Sequence, residues 1–270
     1  MTSVAWATDL HLNHASPEKL EAFRLELQDA RPDAFVVSGD FSESIELFAS
    51  IEWLRRSSHA PLFFCLGNHD FYYDSIARVR SSCTEFCKDQ RDLIYLTATD
   101  AQELGEGVGI LGHDGWADGR TPNYETSLVT MHDSRLIEEF SGLGKAERWS
   151  VMKDLADESS NWLQDRLPAA LEQWPLVFLV THAPPFREAC WYEGQISDDH
   201  WAPHFVNYAL GEALLQVMSR YTQKRVIVLC GHTHGVGLTH PLPNLTVYTG
   251  KAEYGSPCLA YTFNLRNLDF

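Results

Sequence analysis

Seven side chains in this sequence are of the types that hold hard and borderline metal ions: Asp9, His11, Asp40, Asn68, His182, His232 and His234. Two carboxylates, one amide oxygen and four imidazoles form a nitrogen and oxygen donor set without thiolate. Such a set suits Mn, Fe, Zn, Co or Mg and argues against a closed structural zinc cage. Seven donors are too many for one ion. They suit two ions that share a bridging carboxylate and leave positions open for water and substrate.

The donors arrive in short clusters whose weights differ. An Asp-x-His such as Asp9–His11 is expected about 0.8 times by chance at this composition and means little alone. Gly231-His-Thr-His234 is expected about 0.03 times, and Gly67-Asn-His-Asp70 about 0.0015 times. Taken singly, any of these polar residues is an ordinary turn or capping residue. Their number and order speak against that reading for the set.

The elements that must position them are apolar runs. Val4–Thr8, Ala34–Ser38, Pro61–Leu66, Leu176–Thr181 and Val226–Cys230 are apolar at nearly every residue, as strands covered on both faces must be. Each runs at its C-terminal side into a polar cluster, where open α/β sheets bind ligands. A sixth run, Val108–Leu111, leads into Gly112-His-Asp-Gly-Trp116. Helical spacing fills the gaps. Ser16-Pro17-Glu18 caps a helix carrying Leu20, Phe23 and Leu27. A second helix begins around Ile45, Phe48 and Ile51, a third covers 76–87 with Cys83 and Cys87 on its core face, and a later one covers 207–221. Alternating strands and helices predict an α/β fold. The tail reads as strands at 246–249 and 258–264, which suggests a second, partly antiparallel sheet packed on the first. Residues 117–174, mostly helical, and 186–206, rich in aromatics, look like insertions at the active end of the sheet.

The series Asp9-x-His11, Gly39-Asp40, Gly67-Asn-His-Asp70, His182 and Gly231-His-x-His234 resembles the calcineurin-like metallophosphoesterase superfamily. The resemblance spans residues 9–234. It implies a two-sheet mixed β-sandwich flanked by helices, here one domain over 1–270 with 117–174 and 186–206 as a cap or rim. It also implies that Asp9, His11 and His234 hold one metal, that Asn68, His182 and His232 hold a second, and that Asp40 bridges them. In that family a hydroxide between the ions attacks phosphorus. His69 would then assist the leaving group, and Asp70 would orient His69. Asp70 could instead cap the helix that starts near Ser75. The phosphoprotein phosphatases of the superfamily carry Gly-Asp-x-x-Asp-Arg-Gly and Gly-Asn-His-Glu. This chain has Gly39-Asp-Phe-Ser-Glu-Ser44 and Gly67-Asn-His-Asp70, so a small phosphomonoester or phosphodiester is the favoured substrate.

Three further residues are candidate substrate contacts: His113 at a strand end, and Arg120 and Arg187 as a phosphate clamp. A turn with a packed Trp and an exposed surface arginine are the respective alternatives. Trp191, Tyr192, Trp201, His204 and Phe205 could stack on a substrate ring or form the core of their own loop. The chain has 270 residues, 44% hydrophobic and 21% charged, with 21 Lys and Arg against 37 Asp and Glu, net −16. That acidity argues against nucleic acid and anionic membranes as partners. The N-terminal residues lack a basic, apolar leader, no apolar run is long enough to span a bilayer, and the six cysteines include core positions, so a cytoplasmic setting is expected. A nuclease, a protein phosphatase and a catalytically silent binding protein stand as alternatives.

Overall fold

The computed structural model describes residues 2–268. Three strands, β1 (Ser3–Ala7), β2 (Ala34–Ser38) and β3 (Leu62–Cys65), are parallel neighbours, with β4 (Leu93–Tyr95) parallel beyond β3. The second sheet is built around β6 (Val108–Gly112), β7 (Leu176–Val180) and β10 (Arg225–Cys230), again parallel, with β5 (Gln102–Gly105) antiparallel on the β6 edge. Strands β8 (Trp191–Tyr192) and β9 (Gln195–Ile196) form a separate hairpin.

The C-terminal tail departs from expectation. β11 (Gly237–Leu242) and β12 (Leu245–Thr249) close the β10 edge of the second sheet, whereas β13 (Tyr261–Asn264) crosses over to pair antiparallel with β1. The tail therefore edges both sheets and does not build the second one. The parallel strands divide between the sheets because each apolar run must be covered on two faces. Val4, Trp6, Val36, Phe178, Ile227 and Leu229 interdigitate between the sheets. The opposite faces carry Phe35, Val37 and Phe64 on one side and Val177, Leu179 and Val228 on the other.

Those outer faces are covered by helices. α1 (Pro17–Ala30), α2 (Leu47–Ser58) and α3 (Ile76–Cys87) cover the first sheet. Within the segment 117–174, α4 (Asp133–Leu136) is a single turn and α5 (Lys145–Gln173) is long, so only its second half is continuous helix. α6 (Ala202–Phe205) ends the aromatic loop, and α7 (Tyr208–Met218) packs with α5 on the second sheet. As expected, Ser16 caps α1 and Cys83 is fully buried in the α3 core face. α2 starts later than expected, at Leu47, and leaves Ile45 exposed. The result is a four-layer helix–sheet–sheet–helix sandwich. Among the described residues, no helix is long and apolar enough to cross a membrane.

Candidate metal centre

All seven candidate ligands follow the C-terminal ends of parallel strands: β1 for Asp9 and His11, β2 for Asp40, β3 for Asn68, β7 for His182, and β10 for His232 and His234. The chain must turn sharply there to aim side chains inward. Five of the seven residues have left-handed backbones, with φ of 50° at Asp9, 41° at His11, 57° at Asp40, 68° at His232 and 58° at His234. Asp and His tolerate this region better than most, but such residues still cost of order 1–3 kcal/mol each. Strain of this kind persists only where the surroundings over-determine it. Two glycines allow the close approach. A Cβ at Gly67 would collide with the Asp40 carboxylate and the His182 ring, and one at Gly231 with Asp9 and Thr8.

The side chains converge. His234 Nε2 lies 3.4 Å from Asp9 Oδ1, and His11 Nε2 lies 3.7 Å from Asp40 Oδ2 and 3.2 Å from His234 Nε2. His182 Nε2 is 3.4 Å from Asp40 Oδ2, 4.0 Å from Asp9 Oδ1 and 3.1 Å from Asn68 Oδ1. Three sets of donor atoms lie within 4.8 Å of one another: Asp9, His11 and His234; Asp9, Asp40 and His182; and His11, Asp40 and His69. His69, not counted as a ligand from the sequence, thus joins a donor set. His232 joins none of the three, although its ring lies 5.0 Å from that of His182.

The hydrogen bonds suit metal binding. His182 Nδ1 donates to the Ser38 carbonyl at 2.9 Å, which turns Nε2 toward the carboxylates. His232 Nε2 donates to the His204 carbonyl at 3.0 Å and leaves Nδ1 as its lone-pair nitrogen. A carbonyl can only accept, so these contacts fix the tautomers, as outer partners of metal-bound histidines commonly do. The Asp9 carboxylate accepts from Thr8 Oγ1 at 2.6 Å and from the His232 N–H at 3.0 Å. The Asp40 carboxylate accepts from the His69 N–H at 2.9 Å.

Two buried carboxylates close together need positive charge. Burial pushes Asp9 up, but His234 and His182 more than offset it and hold the group at about 2. Burial also opposes ionisation of Asp40, yet His182 and His69 hold it well below the usual carboxylate range. Burial drives His11 down to about 3. His182 resists its own burial because Asp40 and Asp9 raise it to about 10. A protonated His182 therefore supplies the cation that the carboxylates demand. Unpartnered His11 Nδ1, mixed donors and concentrated negative charge together fit metal ions.

Several other sequence expectations need correction. Asp70 does not touch the His69 ring. Its fully buried carboxylate accepts from the backbone N–H groups of Asp40, Gly67, Phe41 and Ser42 at 2.8–3.2 Å, stitching the β2 loop to the β3 loop. Nor does it cap α3, whose cap is Ser75. His113 turns away into the protein, accepting from the Gly115 N–H and lying 5.3 Å from the Trp162 ring. Arg120 pairs with Asp118 and Asp157, and Arg187 with Asp199. Neither arginine lines the pocket beside the ligand cluster; both lie instead along a separate groove with Pro185 and Phe186. The aromatic loop forms its own small core of Cys190, Ala202, Phe205 and Val206 against Tyr192 and Trp201. Phe205 meets the His232 ring edge-on at 5.3 Å.

Sequence reasoning missed four residues. Asp133, far along the chain, accepts from Asn68 Nδ2 at 2.9 Å and from the Tyr72 hydroxyl at 2.8 Å, so the 117–174 segment holds a candidate ligand directly. Tyr254 lies over the centre, its ring 4.3 Å from His11 and its hydroxyl 3.4 Å from His69 Nε2. Asp114 takes hydrogen bonds from the Leu66 N–H, Thr97, Tyr95 and Arg80. Tyr72, four residues after Asn68, and Asp114, next to His113 at a strand end, were the two whose positions gave a clue.

Residues 2–236 match the calcineurin-like phosphoesterase family. This chain belongs to that family. A phosphopantetheinyl hydrolase from Mycobacterium tuberculosis shares the fold with TM-score 0.63 and 16% identity over 94% of this chain and 90% of that one. A dimetal phosphatase from Danio rerio aligns with TM-score 0.61 and 15% identity over 97% and 91% of the two chains. A Thermus thermophilus protein follows at 0.58 and 14% over 98% and 95%. No functionally curated protein matches the sequence. The calcineurin-like fold accounts for the two mixed sheets, and this phosphoesterase carries acidic and histidine clusters able to hold metal.

Proposed function

We propose that the chain hydrolyses a small phosphomonoester or phosphodiester with two metal ions. Asp9, His11 and His234 would hold one, Asn68, His182 and His232 the other, and Asp40 would lie between them. The observation that carries this reading is the convergence of overlapping donor sets that share Asp9, His11 and Asp40 at the strand ends. A bound pair of such ions would acidify water and neutralise charge on phosphoryl oxygens. The Danio rerio neighbour's description as a dimetal phosphatase agrees with it.

The chain's own residues do the rest. His69 is held by its backbone bond to Asp40 and by rings on either side, 4.5 Å from His11 and 4.3 Å from Tyr72. Its imidazole is placed to give a proton to the departing oxygen. Burial and the nearby carboxylates keep the Tyr254 phenol protonated, so its hydroxyl can donate to His69 or to that oxygen. The net charge of −16 disfavours a nucleic-acid substrate. The proposed setting is cytoplasmic, where the chain's six free thiols stay reduced.

The test is reconstitution with manganese, iron or zinc, followed by turnover of p-nitrophenyl phosphate and bis-p-nitrophenyl phosphate. Metal-dependent hydrolysis of either, lost on chelation, is expected. Its absence with every metal would overturn the reading. His69→Ala should lower turnover of an alkyl phosphoester by on the order of 100-fold with metal content unchanged by elemental analysis.

A further inference from the structure

A pocket opens beside the metal centre, and Asn68, His182 and His232 form its inner wall. Its sides are mainly apolar, with Trp116, Tyr124, Met131 and Phe140 contributed by the 117–174 segment and the loop just before it. One face of α5 completes it with Lys145, Arg148 and Met152, spaced at helical intervals. The segment is anchored at both ends of this wall. Asp133 bonds Asn68, and His204, from the aromatic loop, accepts from His232 through its carbonyl while its ring contacts Ser127 Oγ at 3.2 Å.

The two cations are the informative feature. Lys145 Nζ donates to the carbonyls of Glu125 at 3.0 Å and Ser127 at 2.7 Å and sits 5.2 Å from the Tyr124 ring centre. Arg148 donates to the Leu143 carbonyl at 2.9 Å. Among the described residues neither has a carboxylate at ion-pair distance, whereas Arg120 and Arg187 each do. The pocket's one acid, Asp133, is engaged with Asn68 and Tyr72. In a chain with this excess of acid, two partly buried cations whose protein partners are carbonyls and the Tyr124 phenol, which Arg148 also hydrogen-bonds, keep donors and charge for something else. A guanidinium has five N–H donors and an ammonium three, so both can bind an anion without leaving their present partners.

We propose that this pocket receives the organic arm of the substrate and that Lys145 and Arg148 bind a second anion on that arm. The substrate class is then a phosphoester whose apolar arm carries another phosphate or a carboxylate. This inference rests on the phosphoesterase reading. The apolar walls fit the arm, and the scissile phosphate lies at the inner wall. The second anion explains how an acidic protein can favour an anionic substrate, because the attraction is local.

The test uses full-length manganese-loaded protein and three substrate series matched in chain length: alkyl monophosphates, α,ω-alkanediol bisphosphates and ω-carboxyalkyl phosphates. At one chain length, kcat/KM should exceed that of the alkyl monophosphate by about tenfold for at least one of the two series that carry a second anionic group, mainly through KM. Which series gains tells phosphate from carboxylate. Arg148→Gln and the double variant Lys145→Gln/Arg148→Gln should erase most of this preference, and Arg148→Lys should retain part of it. Thermal melts confirm folding, and if the double variant fails to fold, the two Arg148 variants decide. Turnover of alkyl monophosphates with no preference at any length, or a preference that survives in Arg148→Gln, would overturn the inference and leave the phosphoesterase reading standing. No turnover of any series would overturn both.

Discussion

His182 sets the pH behaviour of the metal-free centre. Its folded value of about 10 lies above its ordinary value of 6.5, so at neutral pH it carries a proton that an incoming metal must displace. Metal affinity should therefore rise with pH toward about 10, with proton release at neutral pH measurable by calorimetry in buffers of different ionisation enthalpy. The linkage to stability has the opposite sense. The stabilisation from charged His182 is complete below pH 6.5 and lost as pH rises through about 10, whereas that from Asp9 is lost as pH falls from 3.8 through about 2. Asp70 offers a second contrast at this scale. A carboxylate accepting four N–H groups cannot be replaced by an amide without leaving some of them unpaired. Asp70→Asn should cost roughly 2–3 kcal/mol in denaturant melts and lower metal retention, without introducing a new limb in a pH–rate profile.

At the scale of elements, the 117–174 segment is both a wall and a brace. Its single-turn helix α4 begins at Asp133, which fixes the Asn68 amide so that the oxygen faces His182. Outer partners of this kind commonly control ligand orientation. Asp133→Ala should weaken binding of one metal by on the order of 10–100-fold in a chelator competition assay. The β2 and β3 loops behave as one unit, since Asp70 links them and Gly67 lets them approach. Gly67→Ala would place a methyl group against Asp40 and His182. About 1–3 kcal/mol of stability should be lost on melting, together with metal retention.

For the whole molecule, a net charge of −16 creates a field that repels an anionic substrate outside the pocket. Added salt screens that repulsion, so kcat/KM for a small phosphoester should rise with ionic strength from low values. A nucleic-acid enzyme would show the reverse, because released counterions make its binding weaker in salt. The sandwich makes this local capture possible. Both sheets present the ends of their parallel strands at one edge, where the first part of the 117–174 segment meets the aromatic loop through Met131, which packs on that loop's core, while the second half of α5 covers the second sheet.

The sequence by itself determined the strand ends and the residues grouped there. Apolar runs that must be covered on both faces, and Gly-Asp, Gly-Asn-His and Gly-His-x-His clusters after them, are short-range patterns. It also determined the cap of α1, because Ser16 and Pro17 act within one turn. Tertiary structure alone decided the partners. Asp133 lies 65 residues from Asn68 and Tyr254 lies 185 from His69, separations at which no periodicity carries information. The same holds for Asp70, whose four N–H donors come from two loops, and for Arg120 and Arg187, which lie along a groove separate from the ligand cluster. The tail strands were legible as strands but not as members of two different sheets, because pairing depends on which edge remains open once the parallel strands have packed.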